Sequence, residues 1–224
     1  MACLLLRCVA PMQSWGSRSR FQHRDTEREP TKSGIIGLIC AALGRKRSEP
    51  LDDLNTLRMG VRVDQPGQVA SDYHTALDVL KADQSGSDTQ ISHRAYLADA
   101  AFLVGLAGDL TLLQTIQLAL KNPQWPLFLG RKAFVPGSPV YLPDGLQTEQ
   151  SLAAALQTYP SIALQPTTPP FRLILECAPG ENGHEQRQDI PLDFRHEHRR
   201  FAYRSVIVTT LATLPPAKDD EICT

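Results

Sequence analysis

Cys3-Leu4-Leu5-Leu6-Arg7-Cys8-Val9 is a short apolar run broken by one arginine and ended by Ala10-Pro11. So few residues suit a buried strand better than a helix. Outward from it, Met12 to Thr31 carries Arg18, Arg20, Arg24 and Arg28 among Ser, Gln and His, with Trp15 and Phe21 as its aromatics. Polar connections of this length persist mainly where they serve a function. Pro30 then introduces Thr31 and Ser33 as candidate N-caps. Ile35, Ile36, Leu38, Ile39, Ala42 and Leu43 recur at helical spacing until Gly44. Arg45-Lys46-Arg47 follows at the helix C-terminus, where cations complement the dipole.

Leu57 to Val63 alternates as a strand, and Ala95 to Leu106 holds an apolar stretch able to pair with it. Residues 64–94 between them are rich in Asp, Gln, Ser and Gly and too polar to form a core, which predicts a projecting arm. Leu110 to Leu120 reads as an amphipathic helix capped by Asp109. Leu127 to Val135 reads as a strand or extended loop interrupted by Gly130-Arg131-Lys132. The order strand, helix, strand, strand, helix, strand is the α+β, ferredoxin-like pattern that also frames RNA-recognition (RRM-like) domains. Beyond Pro136, the segments Phe171 to Ala178, Gln188 to Phe194 and Tyr203 to Leu211 predict a small C-terminal β unit. The expected division is 1–142, including the arm, and 143–224.

The 224 residues are 42% hydrophobic and 21% charged, an ordinary globular composition. No apolar run reaches the ~18 residues of a membrane span, so a cytoplasmic protein without membrane contact is expected. Five scattered cysteines without a CxxC pair predict reduced, buried thiols. The net charge of -1 hides an uneven distribution: residues 1–50 hold nine Lys or Arg against four Asp or Glu, whereas 51–130 hold five against nine. A locally cationic face can meet a polyanion while acidic faces meet proteins.

Several chemistries compete. Thr31-Lys32-Ser33 resembles the end of a P-loop but lacks its glycines, so the milder reading is one phosphate of a polymer held at the helix start by Lys32 and Ser33. His196-Glu197-His198 offers two imidazoles to a metal, but Arg199-Arg200 beside it opposes a cation, and we expect no metal and no cofactor. Tyr73, His74, His93 and Tyr96, with Arg94 or Lys132 steadying phosphate, would permit metal-independent RNA cleavage. The same groups could instead stack on RNA or lock the arm's base. Gln13, Trp15 and the arginines after the first strand, with Arg45, Lys46, Arg131 and Lys132, combine cations and flat rings as single-stranded RNA requires. No RNP1 sequence is present.

Ala10-Pro11-Met12-Gln13-Ser14-Trp15-Gly16, Pro30-Thr31-Lys32-Ser33-Gly34 and Gly37-Leu38 resemble the N-terminal signature of the CasD family, a subunit of the type I-E CRISPR Cascade. Asp72-Tyr73-His74-Thr75, Arg94-Ala95-Tyr96-Leu97-Ala98-Asp99-Ala100 with Phe102 and Val104, and Leu129-Gly130-Arg131-Lys132 resemble its later blocks in the same order. The likeness covers residues 1 to about 142. It implies a RAMP-type, RRM-like fold with a thumb, holding the 5′ handle of the CRISPR RNA and touching the Cascade backbone and large subunits. In that family a different subunit cuts the precursor. A related type I-C subunit is a nuclease using Tyr, Lys and His, but no Lys-His pair lies near the arm here, so the expectation is a non-catalytic subunit. The expected RNA contacts are Gln13, Ser14, Trp15, Arg18, Arg20, Arg24, Lys32, Ser33, Arg45, Lys46, Tyr73, His74, His93, Arg94, Arg131 and Lys132. Arg18→Ala should weaken RNA binding by about 1–3 kcal/mol and flatten its salt dependence by roughly one unit of slope. Titration of labelled RNA at several salt concentrations measures both, and unchanged values would remove Arg18 from the RNA path.

Overall fold

The apolar run at the N-terminus becomes β1, Ala2–Gln13, the spine of a largely antiparallel sheet. In the computed structural model, residues 2–17, 22–178, 180–181, 183–195 and 198–217 are described. β2 (His23–Arg24) precedes α1 (Lys32–Leu43) and the single turn α2 (Asp52–Asn55). Then come β3 (Arg58–Gln65), β4 (Gln68–Leu80), β5 (Ser87–Gly108) and α3 (Leu110–Lys121). β6 (Tyr141–Gln147), α4 (Leu152–Thr158), β7 (Phe171–Glu176), β8 (Glu185–Asp193) and β9 (Arg200–Leu211) complete the chain. The strand order is β6-β1-β5-β3-β7-β9-β8, with β2 and β4 attached to β5.

β1 lacks alternation because both its faces are buried. Leu4, Leu6 and Cys8 join the core under α1 and α3, while Cys3 and Leu5 join a second core under α4. The strand also outruns the expected end at Ala10-Pro11, since β5 continues the ladder as far as Gln13↔Leu97. Cys3 and Cys8 are free thiols pushed up to about 12 by burial, and Cys40 is pushed up to about 11.

The polar segment 64–94 is a β-hairpin. β4 pairs with the first half of β5 from Gln68↔Ala98 to Leu80↔Ser87, and most of its side chains are exposed. Leu127 to Val135 is not a strand: Leu129 N–H donates to Phe134 O and Phe134 N–H to Arg131 O, closing a tight loop. β6 and α4 carry little sequence signal, because β6 contains Pro143 and Gly145 and α4 has only two turns, capped by Ser151. The expected boundary after residue 142 falls inside β6, and β7 pairs with β3, so the C-terminal strands continue the same sheet. Among the described residues no helix is long and apolar enough to cross a membrane.

Buried charges lock the two ends of the chain together. Asp189 of β8 accepts from the Lys32 backbone N–H at the start of α1 (2.8 Å) and from the Arg204 guanidinium (2.6 and 2.9 Å). The Lys32 ammonium donates to Glu176 at 2.7 Å, and Glu176 also accepts the Met59 N–H. Burial works to raise the Asp189 pKa, but the Arg204 and Lys32 hydrogen bonds prevail and hold it below the usual carboxylate range. Such a carboxylate stabilises the fold above its unfolded pKa of about 3.9 and loses that contribution as pH falls through the folded value. Asp189→Asn should therefore cost about 3 kcal/mol at pH 7 in urea unfolding. The gap from the natural protein should narrow as pH drops below about 4, and a gap independent of pH would refute this role.

Candidate nucleic-acid interface

Where β1 ends, its backbone is clamped from three sides. Gln13 is fully buried: its amide donates to Cys8 O (3.1 Å) and Ala100 O (2.7 Å), and its oxygen accepts from the Trp15 indole N–H at 3.2 Å. Trp15, 1% exposed, packs its ring over Gly34 of α1, and its backbone N–H donates to the Thr26 hydroxyl. Ser14 N–H donates to Leu129 O, and its hydroxyl to Ala95 O. Glu27 N–H donates to Trp15 O, which ties together the described residues on either side of 18–21. Arg18 and Arg20 lie outside the described residues.

Beside this clamp runs a trough made of two adjoining cavities. The larger, about 880 Å³, is lined by Arg24, Arg131, Arg199, Arg200, Phe201 and Leu192, among others. The smaller, about 380 Å³, is lined by Ser33, Arg45, Lys46, Arg47, Trp125 and Phe194, among others. Ser14, Gly16, Gly130 and Arg199 border both. Arg131 donates to Ala95 O (2.8 Å) and Arg24 O (3.3 Å) and lies over the Phe134 ring at 5.5 Å. Its pKa is lowered by burial first and then by Arg94 and Arg24, with Asp72 and Asp25 opposing. Arg199 is lowered likewise, by burial and then by Arg47 and Arg24. These guanidiniums repel one another, and an anion entering the trough relieves that repulsion.

The base of the hairpin continues the surface with two strips. His23, His93 and Tyr73 stand opposite one another across β2, β5 and β4. The imidazoles stack at 5.7 Å, and Tyr73 meets His93 edge-on at 5.3 Å. The next rung, Arg24, Arg94 and Asp72, faces the other way. Arg94 donates to Ser92, and His74 lies 3.9 Å from Asp72.

The expected contact set divides accordingly. Arg24, Arg131, Ser33 and Lys46 line the trough. Tyr73, His74, His93 and Arg94 sit on the hairpin, and exposed Lys132 borders neither cavity. Gln13, Trp15 and Lys32 lie beneath this surface: each is at most 1% exposed, with its side-chain polar atoms hydrogen-bonded to protein partners. The α1 N-terminus expected to hold a phosphate holds the Asp189 carboxylate instead. Arg45 lines the smaller cavity but is forked onto Asp53. Sequence reading missed Phe201, Gln188, Trp125, Phe128 and Phe194, which come from distant strands and loops. Arg199-Arg200 is the one signal in the sequence for this wall, since two adjacent cations oppose a metal and suit a phosphate. His196 and Glu197 lie outside the described residues, and among the described residues no group of three or more His, Cys, Asp or Glu could hold a metal ion.

Fold and trough together define an α+β protein, mostly antiparallel sheet with few helices, that presents a cationic groove between its N-terminal loops and its last two strands. The chain belongs to the CRISPR-associated protein (Cas_Cas5) family, whose model matches residues 3–207. It is 32% identical over 156 residues to the CRISPR system Cascade subunit CasD of Escherichia coli (strain K12), covering 62% of this chain and 69% of that one. A Cas protein crystal structure is 45% identical, with a TM-score of 0.75 over 96% of this chain and 98% of the other. A chain of a CRISPR RNA-guided surveillance complex is 33% identical, with a TM-score of 0.79 over 97% and 95%.

The trough's narrow neck depends on Gly130, whose φ is +89° and where an added Cβ would lie 1.5 Å from Ser14 O. Gly130→Ala must push the 129–134 loop off β1, so a loss of at least ~2 kcal/mol in thermal unfolding is expected. Unchanged stability would show that the neck is not held by this contact.

Proposed function

We propose that this chain is a non-catalytic, CRISPR RNA-binding subunit of a cytoplasmic Cascade surveillance complex, holding the 5′ handle of the RNA and joining the backbone and large subunits. The observation that carries it is the cluster of cations lining the two adjoining cavities, Arg24, Arg131, Arg199 and Arg200 in the larger and Lys46, Arg47 and Arg199 in the smaller. Like charges gathered on one open surface are unfavourable in the free protein and fit a phosphodiester chain. The likeness to CasD and to a chain of an RNA-guided complex supports the same reading.

In this reading the fold is ferredoxin-like and RRM-like. The segment β6-β1-β5-β3, with α1 and α3 packed on one face, supports that description. The β4–β5 hairpin is the thumb: its Asp78, Asp83 and Asp88 and its exposed Leu77 and Leu80 suit a protein neighbour, while its histidine and arginine base suits RNA. Residues 1–142 and 143–224 divide by role, the first supplying the thumb, Arg24 and Arg131, the second Arg199, Arg200 and Phe201. A non-catalytic role is favoured by the likeness to the Cascade subunit CasD; His93, stacked on His23 and Tyr73, and His74, beside Asp72, are the groups a cleavage test must probe.

Nuclease footprinting of the reconstituted complex should show the handle protected. Arg199→Ala and Arg200→Ala should each weaken RNA binding by about 1–3 kcal/mol and lower the salt slope by roughly one. An unprotected handle, or metal-free cleavage of repeat RNA that vanishes in His93→Ala, would overturn the proposal.

A further inference from the structure

We propose that the smaller cavity is a nucleobase pocket, taking one unstacked base of single-stranded RNA against Trp125 and Phe194 with that nucleotide's phosphate on Arg47 and Arg199. The inference rests on the RNA-binding reading above and adds to it a specific site for a single base.

Its first support is a glycine that packing does not require. Gly34 must lack a side chain, because a Cβ there would lie 2.8 Å from the Trp15 ring. At Gly37, one turn on, an added Cβ would meet only the Phe194 ring, at an ordinary 3.8 Å. Glycine inside a helix disfavours that helix relative to alanine. What Gly37 preserves is space: with Gly34 and Ala41 it gives α1 a flat floor to the cavity.

The walls point to a flat ligand. Trp125 is 44% exposed on a loop tied to the end of α1, its backbone N–H donating to Ala41 O (3.1 Å) and that of Gln124 to Ala42 O (3.0 Å). A large, half-exposed ring lining a cavity shared with Phe128 and Phe194 is what a stacking base needs. The cavity's volume of about 380 Å³ lies within the usual 300–1,000 Å³ of small-ligand sites.

The rim selects an anion. Among the described residues none that lines the cavity is acidic, whereas Arg47, Lys46 and Arg199 all border it. Among the described residues the charges that shift Arg199 are Arg47 and Arg24, both of its own sign. Arg45 is less available, being forked onto Asp53. A neutral aromatic interior under a cationic rim matches a base joined to a phosphate. Because Arg199 also borders the larger cavity, the same strand can run on into the trough.

The test uses the full chain in the reconstituted complex with labelled repeat RNA, intact or with one abasic nucleotide placed at each position in turn. One abasic position should cost the natural protein about 5- to 150-fold in affinity, the range for one stacked base. Gly37→Leu, which fills the cavity, should lose a similar factor with intact RNA and be indifferent to that abasic position. Trp125→Ala should behave likewise and keeps the test valid if the leucine variant misfolds. Trp15 is buried, so RNA quenching of intrinsic fluorescence in the isolated chain should report Trp125 and disappear in Gly37→Leu. A flat abasic scan with unchanged variants, while the natural protein still binds RNA, would overturn the pocket alone. Failure of the natural protein to bind RNA would overturn both readings, and a free mononucleotide binding as tightly as the RNA would assign the pocket to a small molecule instead.

Discussion

The carboxylate of Asp189 at the N-terminus of α1 is the interaction on which the arrangement of the two chain ends depends. It sits in β8, yet it satisfies a backbone donor of a helix more than 150 residues earlier and neutralises Arg204 in the neighbouring strand. A helix N-terminus carries roughly half a positive charge, which makes it a natural seat for an anion. Here the anion is part of the protein. Lys32 and Glu176 extend the network, so each buried charge meets an opposite one, and removing any member would leave its partner uncompensated in a dry interior.

Geometry follows from that lock. With β8 and β9 held against α1, the residues entering β9, Arg199 and Arg200, lie across the trough from Arg24 and Arg131. The opposite wall is fixed just as firmly, because Ser14 and Leu129 are hydrogen-bonded and Arg131 bridges to Ala95 and Arg24. A second buried arginine does the same work on the far face of the sheet. Arg62 is forked onto Asp64 and donates to the carbonyls of Leu156, Tyr159 and Pro160, fastening the end of α4 to β3. Rigid walls place the exposed guanidiniums without the entropy cost of ordering loops on binding.

The sequence disclosed elements whose cause is local and concealed those whose cause is distant. Helix α1 was legible because Thr31, the apolar spacing and Gly44 all act within one segment. The arm was legible as a polar excursion, but not as a hairpin, because its strands are exposed on both faces and carry no alternation. Lys32 and Gln13 misled for one reason: a polar side chain beside basic and aromatic neighbours looks solvent-facing until a partner far along the chain is known. Glu176 and Ala100 are those partners. Trp125 and Phe201 carried no signal at all, since what makes each part of a groove is the packing of loops and strands from separate parts of the chain.

The same pairing explains how a chain of net charge -1 can offer a strongly cationic surface. Many of its carboxylates are committed inside or at the rim of the fold: Asp64 to Arg62, Glu176 to Lys32, Asp189 to Arg204, Glu29 to Arg172 and Arg187. Others, at 78, 83 and 88, stand on the far half of the hairpin, away from the trough. Among the described residues of the larger cavity, Asp25 is the one carboxylate against Arg24, Arg131, Arg199 and Arg200, and total charge is a poor guide to partners when opposite charges are sorted by depth. Mutual repulsion among exposed guanidiniums is an unfavourable term that the free protein tolerates because buried, paired charges and the two cores under the sheet hold the walls in place. A bound phosphate chain converts that repulsion into attraction, which makes the groove more complementary to its ligand than to water.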